Sequence, residues 1–269
     1  MKKVFLFSII VLLLHTFSAC SNHHSDILND DLNLITEKKF PISPGNDLRI
    51  KVSGGDVMIT SWDRSEVYIK VLGNDNAKEK LDFIFDNSDS YVTFETESKG
   101  SVFNWFSGIS LKIEVKVPES FNTGIHTSGG DIKLGGVSGT GKLHTSGGDV
   151  WAEKVEGNLD VSTSGGDISL ICGGTEIVAQ TSGGDIDLNY FGPNLGIDLS
   201  TSGGDILVEL PADFDASMKL STSGGDVSCN LTLNNATKLS DHKIIADLNN
   251  GGMVFTAHTS GGDIDVMKK

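Results

Sequence analysis

Apolar and polar positions alternate with a period of two through most of the chain, and the alternation is organised around one recurring tetrad. Ser-Gly-Gly-Asp, followed by Val or Ile, occurs with its Asp at 56, 131, 149, 167, 185, 205, 226 and 263. The next residue is Val57, Ile132, Val150, Ile168, Ile186, Ile206, Val227 or Ile264, always β-branched. Two further on stand Ile59, Leu134, Ala152, Leu170, Leu188, Val208, Cys229 and Val266, with mostly polar residues such as Lys133, Ser169 and Asp187 between. One apolar set at period two describes a strand with one buried face. The approach to the tetrad repeats the theme. Six residues before the Asp are Ile125, Leu143, Val161, Ala179, Leu199, Leu220 and Ala257, five before it is a polar residue, and four before it is always Thr. A strand therefore runs in, the chain turns at Ser-Gly-Gly, and a second strand runs out. The glycines are expected to supply a positive φ at that turn.

The tetrads are evenly spaced. From Asp131 to Asp185 the interval is 18 each time, then 20, 21 and 37. A fixed period of this size marks a solenoid. Two short strands cannot bury their inner face alone, whereas coils stacked about 4.8 Å apart share one continuous interior. The final gap reads as close to two periods, with Asn249-Asn250-Gly251-Gly252 as a degenerate turn inside it. Residues 37–118 carry one tetrad and then strand-like stretches (67–71, 81–85, 91–95 and 111–117) without the 18-residue period. They predict a cap that packs on the solenoid end and shields its open edge. No long helical period appears after the first residues. The predicted fold is all-β: a single-stranded, β-helix-like β-solenoid of about 18–21 residues per coil, with an N-terminal β cap over 37–118 and repeats over 119–269.

The N-terminus has a different character. Met1-Lys2-Lys3 precedes an apolar run from Val4 to Leu14, too short to span a bilayer, and Phe17-Ser18-Ala19-Cys20 follows. This reads as a secretory signal over residues 1–19. Ser18, Ala19 and Cys20 resemble the lipobox of bacterial lipoproteins, with Phe17 in the usual Leu position. That resemblance implies cleavage before Cys20, lipidation of Cys20, and attachment to a membrane through the lipid. Ser21 after the cysteine is compatible with the outer membrane by the same resemblance. Residues 20–36 read as a polar tether.

The repeat itself resembles a bacterial family of β-strand-repeat proteins known as "putative adhesins". The SGGD-Ile/Val turns, the segment Ile113-Glu114-Val115-Lys116-Val117-Pro118 and the closing Leu248-Asn249-Asn250-Gly251-Gly252 carry the resemblance over roughly residues 40–269. It implies a surface or periplasmic binding module for a glycan or protein. The alternatives are an envelope component without a ligand, or a polysaccharide-active enzyme on a β-helix.

Charge narrows the partners. The formal net charge is −15, and loss of Lys2 and Lys3 makes it more negative still, so nucleic acid is excluded as a partner. The chain contains no H-E-x-x-H, G-x-S-x-G or phosphate-binding loop, so neither an enzyme motif nor a cofactor is predicted. The most unusual chemistry is the column of Asp131, Asp149, Asp167, Asp185, Asp205, Asp226 and Asp263. Carboxylates about 4.8 Å apart repel by roughly 0.9 kcal/mol in water. Hydrogen bonds from each turn's own Ser and Gly groups would offset this, and a row of Ca²⁺ ions is the alternative. His126, His144 and His258 share another column but lack further metal ligands. Cys172 and Cys229 are placed three coils apart and remain free thiols on that spacing. Phe103, Trp105 and Phe106 form the most aromatic segment and the candidate binding patch, while Trp62 and Trp151 read as lone aromatics.

Overall fold

Strands with one apolar face need a second sheet to cover it, and the computed structural model, which describes residues 32–100 and 108–269, builds two, of 12 and 11 strands. The N-terminal part lays down β1 (Asn33–Pro41), β2 (Asp47–Val52), β3 (Asp56–Trp62) and β4 (Glu66–Gly73). A one-turn helix α1 (Asp75–Lys80) follows, capped by the Asn74 side chain on the Ala77 N–H, then β5 (Leu81–Asn87), β6 (Tyr91–Ser98) and β7 (Leu111–Pro118). The strand-like stretches at 67–71, 81–85, 91–95 and 111–117 lie within β4 to β7. Strand β1 begins inside the stretch read as a tether, because residues 33–41 pair antiparallel with β4.

The repeats follow as strand pairs flanking each tetrad. They are β8 (Asn122–Thr127) with β9 (Ile132–Gly135), β10 (Gly141–His144) with β11 (Val150–Glu153), and β12 (Leu159–Ser162) with β13 (Ile168–Gly173). Next come β14 (Ile177–Gln180) with β15 (Ile186–Phe191), β16 (Ile197–Ser200) with β17 (Ile206–Leu210), and β18 (Ala216–Ser221) with β19 (Val227–Cys229). The chain then makes β20 (Leu233–Ser240) and β21 (Lys243–Leu248), and ends with β22 (Val254–His258) and β23 (Ile264–Lys268). The first strand of each pair joins the 12-stranded leading sheet and the second joins the 11-stranded trailing sheet, so one coil places one rung in each. Stacked rungs are parallel and in repeat register: Leu143 lies beside Ile125 and Val161, and Ala152 beside Leu134 and Leu170. These inward residues are essentially inaccessible and form one core with their equivalents in the other rungs. The pair β2–β3 is itself the first rung, next to β8 and β9, with β6 and β7 continuing the two sheets beyond it.

The tetrad's glycines from residue 129 onward serve packing rather than a positive φ, which corrects the sequence expectation there; it holds at Gly55 of the first rung, with φ 107°. In the repeats from residue 119 onward, none of the tetrad glycines lies in the positive-φ region. The second glycine is fixed by its neighbour: a Cβ on Gly166 would sit 2.0 Å from the Gly148 carbonyl oxygen, and one on Gly184 2.0 Å from that of Gly166. The Thr column locks the same contact. Thr163 donates its hydroxyl to the Gly148 carbonyl and accepts from the Gly166 N–H, and Thr145, Thr181, Thr201 and Thr259 repeat this pair of bonds. A buried hydroxyl with both roles filled costs little to bury.

The long final gap is not a skipped coil. Strands β20 and β21 form an antiparallel hairpin, and β21 pairs antiparallel with β18 at the end of the leading sheet. The last pair then turns back: β22 inserts between β16 and β18, and β23 between β17 and β19. In space the rungs therefore run in chain order except that the last precedes the one before it. Residues 249–252 do form a turn, with positive φ at Asn249, Gly251 and Gly252, but it returns the chain to the stack instead of joining two strands of a coil.

Candidate functional site

The Asp column is a backbone-directed ladder. Asp149 Oδ1 accepts from the Asp167 N–H at 2.8 Å, Asp167 Oδ1 from Asp185 at 2.8 Å, and Asp185 Oδ1 from Asp205 at 2.7 Å. The ladder begins at Asp56, which accepts from Asp131, whose carboxylate accepts from Asp149, and it ends Asp205 to Asp263 to Asp226 because of the inserted rung. The donor is thus the next rung's own aspartate, not the turn's Ser or Gly groups. Each bond satisfies a backbone N–H at the sharp corner, which offsets the repulsion along the column. Among the described residues no group of three or more His, Cys, Asp or Glu is arranged to hold a metal ion. Asp167→Ala should cost about 1 kcal/mol by stranding the Asp185 N–H, whereas Asp167→Asn keeps the acceptor and should melt at or above the parent. A chelator should move neither curve. Thermal unfolding followed by circular dichroism checks all three, and equal losses in the two variants would mean that charge, not the acceptor, holds the corner.

His126 and His144 are adjacent and stacked, with ring centroids 4.7 Å apart and planes 4° from parallel. His144 Nδ1 shares a 2.7 Å hydrogen bond with the Ser162 hydroxyl. Burial, then electrostatic repulsion from the neighbouring His144 and Lys51, holds the His126 pKa below the usual imidazole value. His258 is remote from this pair, beside Ser200 and Ser221. Cys172 and Cys229 are free thiols, and the inserted rung places them four rungs apart rather than three. Cys172 is fully buried, which pushes its thiol up to about 12; Cys229 is only half-buried at the end of the stack. Cys20 and the aromatic patch Phe103, Trp105 and Phe106 lie outside the described residues.

Trp151, which the sequence presents as a lone aromatic, borders an apolar depression. Its indole points outward from the trailing sheet and is 42% exposed. Register builds a grid around it. Met58, Lys133 and Trp151 stand side by side on β3, β9 and β11, and Thr60, Gly135 and Glu153 stand side by side two residues later. Gly135 leaves the middle of the second row empty; a Cβ there would meet nothing closer than Glu153 Cγ at 3.8 Å. The result is a cavity of about 250 Å³ lined by Met58, Thr60, Lys133, Gly135, Trp151 and Glu153. An aromatic wall with one ammonium and one carboxylate at the rim suits a ligand with an apolar face and hydroxyl edges. The signal was available in the aligned repeats, as a glycine in an outward column beside a tryptophan.

Among curated proteins none matches this chain. Solved structures that do include a protein described as a "putative cell adhesion protein" from Clostridium sporogenes, 16% identical over 88% of this chain and 100% of that one, with a TM-score of 0.39. A "putative adhesin" from Bacteroides fragilis is 14% identical over 87% and 97%, with a TM-score of 0.47. A "putative lipid binding protein" from Parabacteroides distasonis is 16% identical over 86% and 96%, with a TM-score of 0.38. The family model described as Toastrack DUF4097 matches residues 122–267, which run from the start of β8 into β23 and so span the repeats from the second rung to the end. With more than half of its length in that match, the chain belongs to the Toastrack DUF4097 family.

Proposed function

We propose that the protein is a lipid-anchored component of the cell envelope whose solenoid is a non-enzymatic binding module, with the Trp151 depression as its ligand site and a glycan as the ligand. The observation that carries the ligand assignment is the Gly135 vacancy beside an exposed indole. A saccharide ring stacks its apolar face on an aromatic wall while Lys133 and Glu153 reach its hydroxyls. The aspartates do not argue for catalysis, since each does the same structural task in its own rung. The N-terminal segment ending in Ser18-Ala19-Cys20 supports the anchor.

A screen of envelope and matrix oligosaccharides against the full chain tests this reading. Trp151→Ala should weaken the best ligand at least about tenfold, the scale expected of a buried aromatic anchor. Gly135→Leu should do the same by filling the depression while leaving the indole in place. Wild-type affinity in both variants would remove the site from consideration. Radiolabelled palmitate should enter the intact protein and not Cys20→Ser; equal labelling of the two would refute the anchor.

A further inference from the structure

The second rung, which carries the Gly135 vacancy on the trailing sheet, carries another on the leading sheet. Outward-facing Gly124 on β8 lies between Arg49 on β2 and Lys142 on β10. A Cβ there would meet nothing closer than the Leu48 carbonyl at 3.8 Å. The next outward row holds Lys51, His126 and His144 on the same three strands. Two contiguous hollows of about 300 and 250 Å³ share Gly124 and Lys142 and form one trough. Neighbouring strands are about 4.8 Å apart, so the trough separates the backbones of its flanking Arg and Lys strands by about twice that. Lys142 borders the trough on one side; on the other, the Arg49 guanidinium is held by Asp47 at 3.0 Å and lies 5.7 Å from the centroid of the Tyr91 ring on β6, so it would swing from these partners to meet an oxyanion.

The surrounding charges decide when it would do so. Facing the trough are Asp47, Arg49 and Lys51 from β2, Tyr91 and Glu95 from β6, His126 from β8, Lys142 and His144 from β10, and Asp160 from β12. Asp47 is paired with Arg49 at 3.0 Å and accepts a hydrogen bond from Asn122. Lys142 has no carboxylate within 4.0 Å among the described residues, although Asp160 is its register neighbour. Three bases face three acids while the imidazoles are neutral, so each imidazole that takes up a proton tips the trough positive. The patch is thus locally balanced in a chain of net charge −15.

We propose that the Gly124 trough is a binding site for a sulfate- or phosphate-type oxyanion, free or as a sugar ester, held by Arg49 and Lys142 and strengthened by protonation of the His126–His144 pair. This site stands independently of the Trp151 reading, on the opposite sheet. Its sign with pH is fixed by linkage: an anion favours the charged imidazoles, binding draws protons in, and affinity rises as pH falls. Because burial holds the His126 pKa below the usual imidazole value, the gain comes on the acid side of that value.

The test titrates the full chain with inorganic sulfate, whose charge is constant over the range, and with glucose 6-sulfate, at constant ionic strength. Binding is read from the imidazole proton resonances of His126 and His144. Both resonances should shift on saturation, the apparent His126 pKa should rise, and binding should be about tenfold tighter at pH 5.5 than at pH 7.5, equivalent to one pKa unit. Lys142→Ala, an exposed position, should raise Kd at least fivefold without changing the melting temperature, and Gly124→Val should do so by filling the trough. Lys238→Ala, far away on β20, should bind like the parent. Tighter binding of the sugar ester would identify the ester as the ligand form, and equal binding the free ion. Equal affinity in Lys142→Ala and parent, or affinity independent of pH, would overturn the proposal.

Discussion

Gly166→Ala should be among the most damaging single methyl additions in the repeats. The added carbon would lie 2.0 Å from the Gly148 carbonyl oxygen and 2.5 Å from its carbon. Both are backbone atoms of a rung already pinned by the Thr163 hydroxyl and the Asp149 carboxylate, so no flexible side chain can yield. The rungs must part at that corner and lengthen both bonds. A cost of about 3 kcal/mol is expected, at the upper end for overpacking, which is roughly 10 °C for a domain of this size. Gly165→Ala is the control. Its Cβ would reach nothing nearer than the Ser146 carbonyl at 3.9 Å and its φ lies outside the left-handed region, so its change should stay within about 0.5 kcal/mol. Thermal unfolding of the two variants gives the comparison. Similar losses from both would mean that conformational freedom, and not rung contact, selects Gly-Gly.

A chain ending at Gly252 should lose far more than one rung. In a linear solenoid the final coil touches one neighbour, and its removal forfeits one interface. Here Phe255, Ala257, Ile264 and Val266, none more than 1% exposed, are sandwiched between two rungs. Without them β18 and β19 have no strand partner on the body side, and the hairpin β20–β21 is attached only to β18, β19 and the turns flanking them. Hydrogen exchange read by mass spectrometry should show residues 211–252 unprotected in the truncated protein, with the rungs from β8 to β17 still protected. Trypsin should then cleave at Lys219, Lys238 and Lys243. Retained protection over 211–252 would mean that β18 has stepped down onto β16, and that the rungs are interchangeable.

That possibility shows where sequence reading stops. The columns at Ile132, Leu134 and Leu143 identified the inward positions they named, because period two dictates which face a residue takes. The pattern is silent about which strand lies next to which. Lys243 to Leu248 carries Ile244, Ala246 and Leu248 at the same period as a coil strand, so an antiparallel hairpin and a degenerate coil look alike in one dimension. The same limit explains the Asp column: the residue type marked a corner, but its hydrogen-bond donor sits 18 to 75 residues away and emerges only when rungs are laid in register. Trp151 looked isolated for the same reason. Its neighbours Met58, Lys133 and Gly135 belong to other coils, and the vacancy at Gly135 exists only between strands.

The inserted rung also sets an order of manufacture. Polypeptides are made from the N-terminus, and segments begin to fold as they emerge. Residues 216–229 are synthesised before residues 254–268, yet their final place lies beyond them. Any early docking of β18 against β16 must be undone when the last fifteen or so residues arrive. The finished structure therefore behaves like a drawer with a latch at its far end: it cannot be shut until β22 and β23 have been made and have emerged.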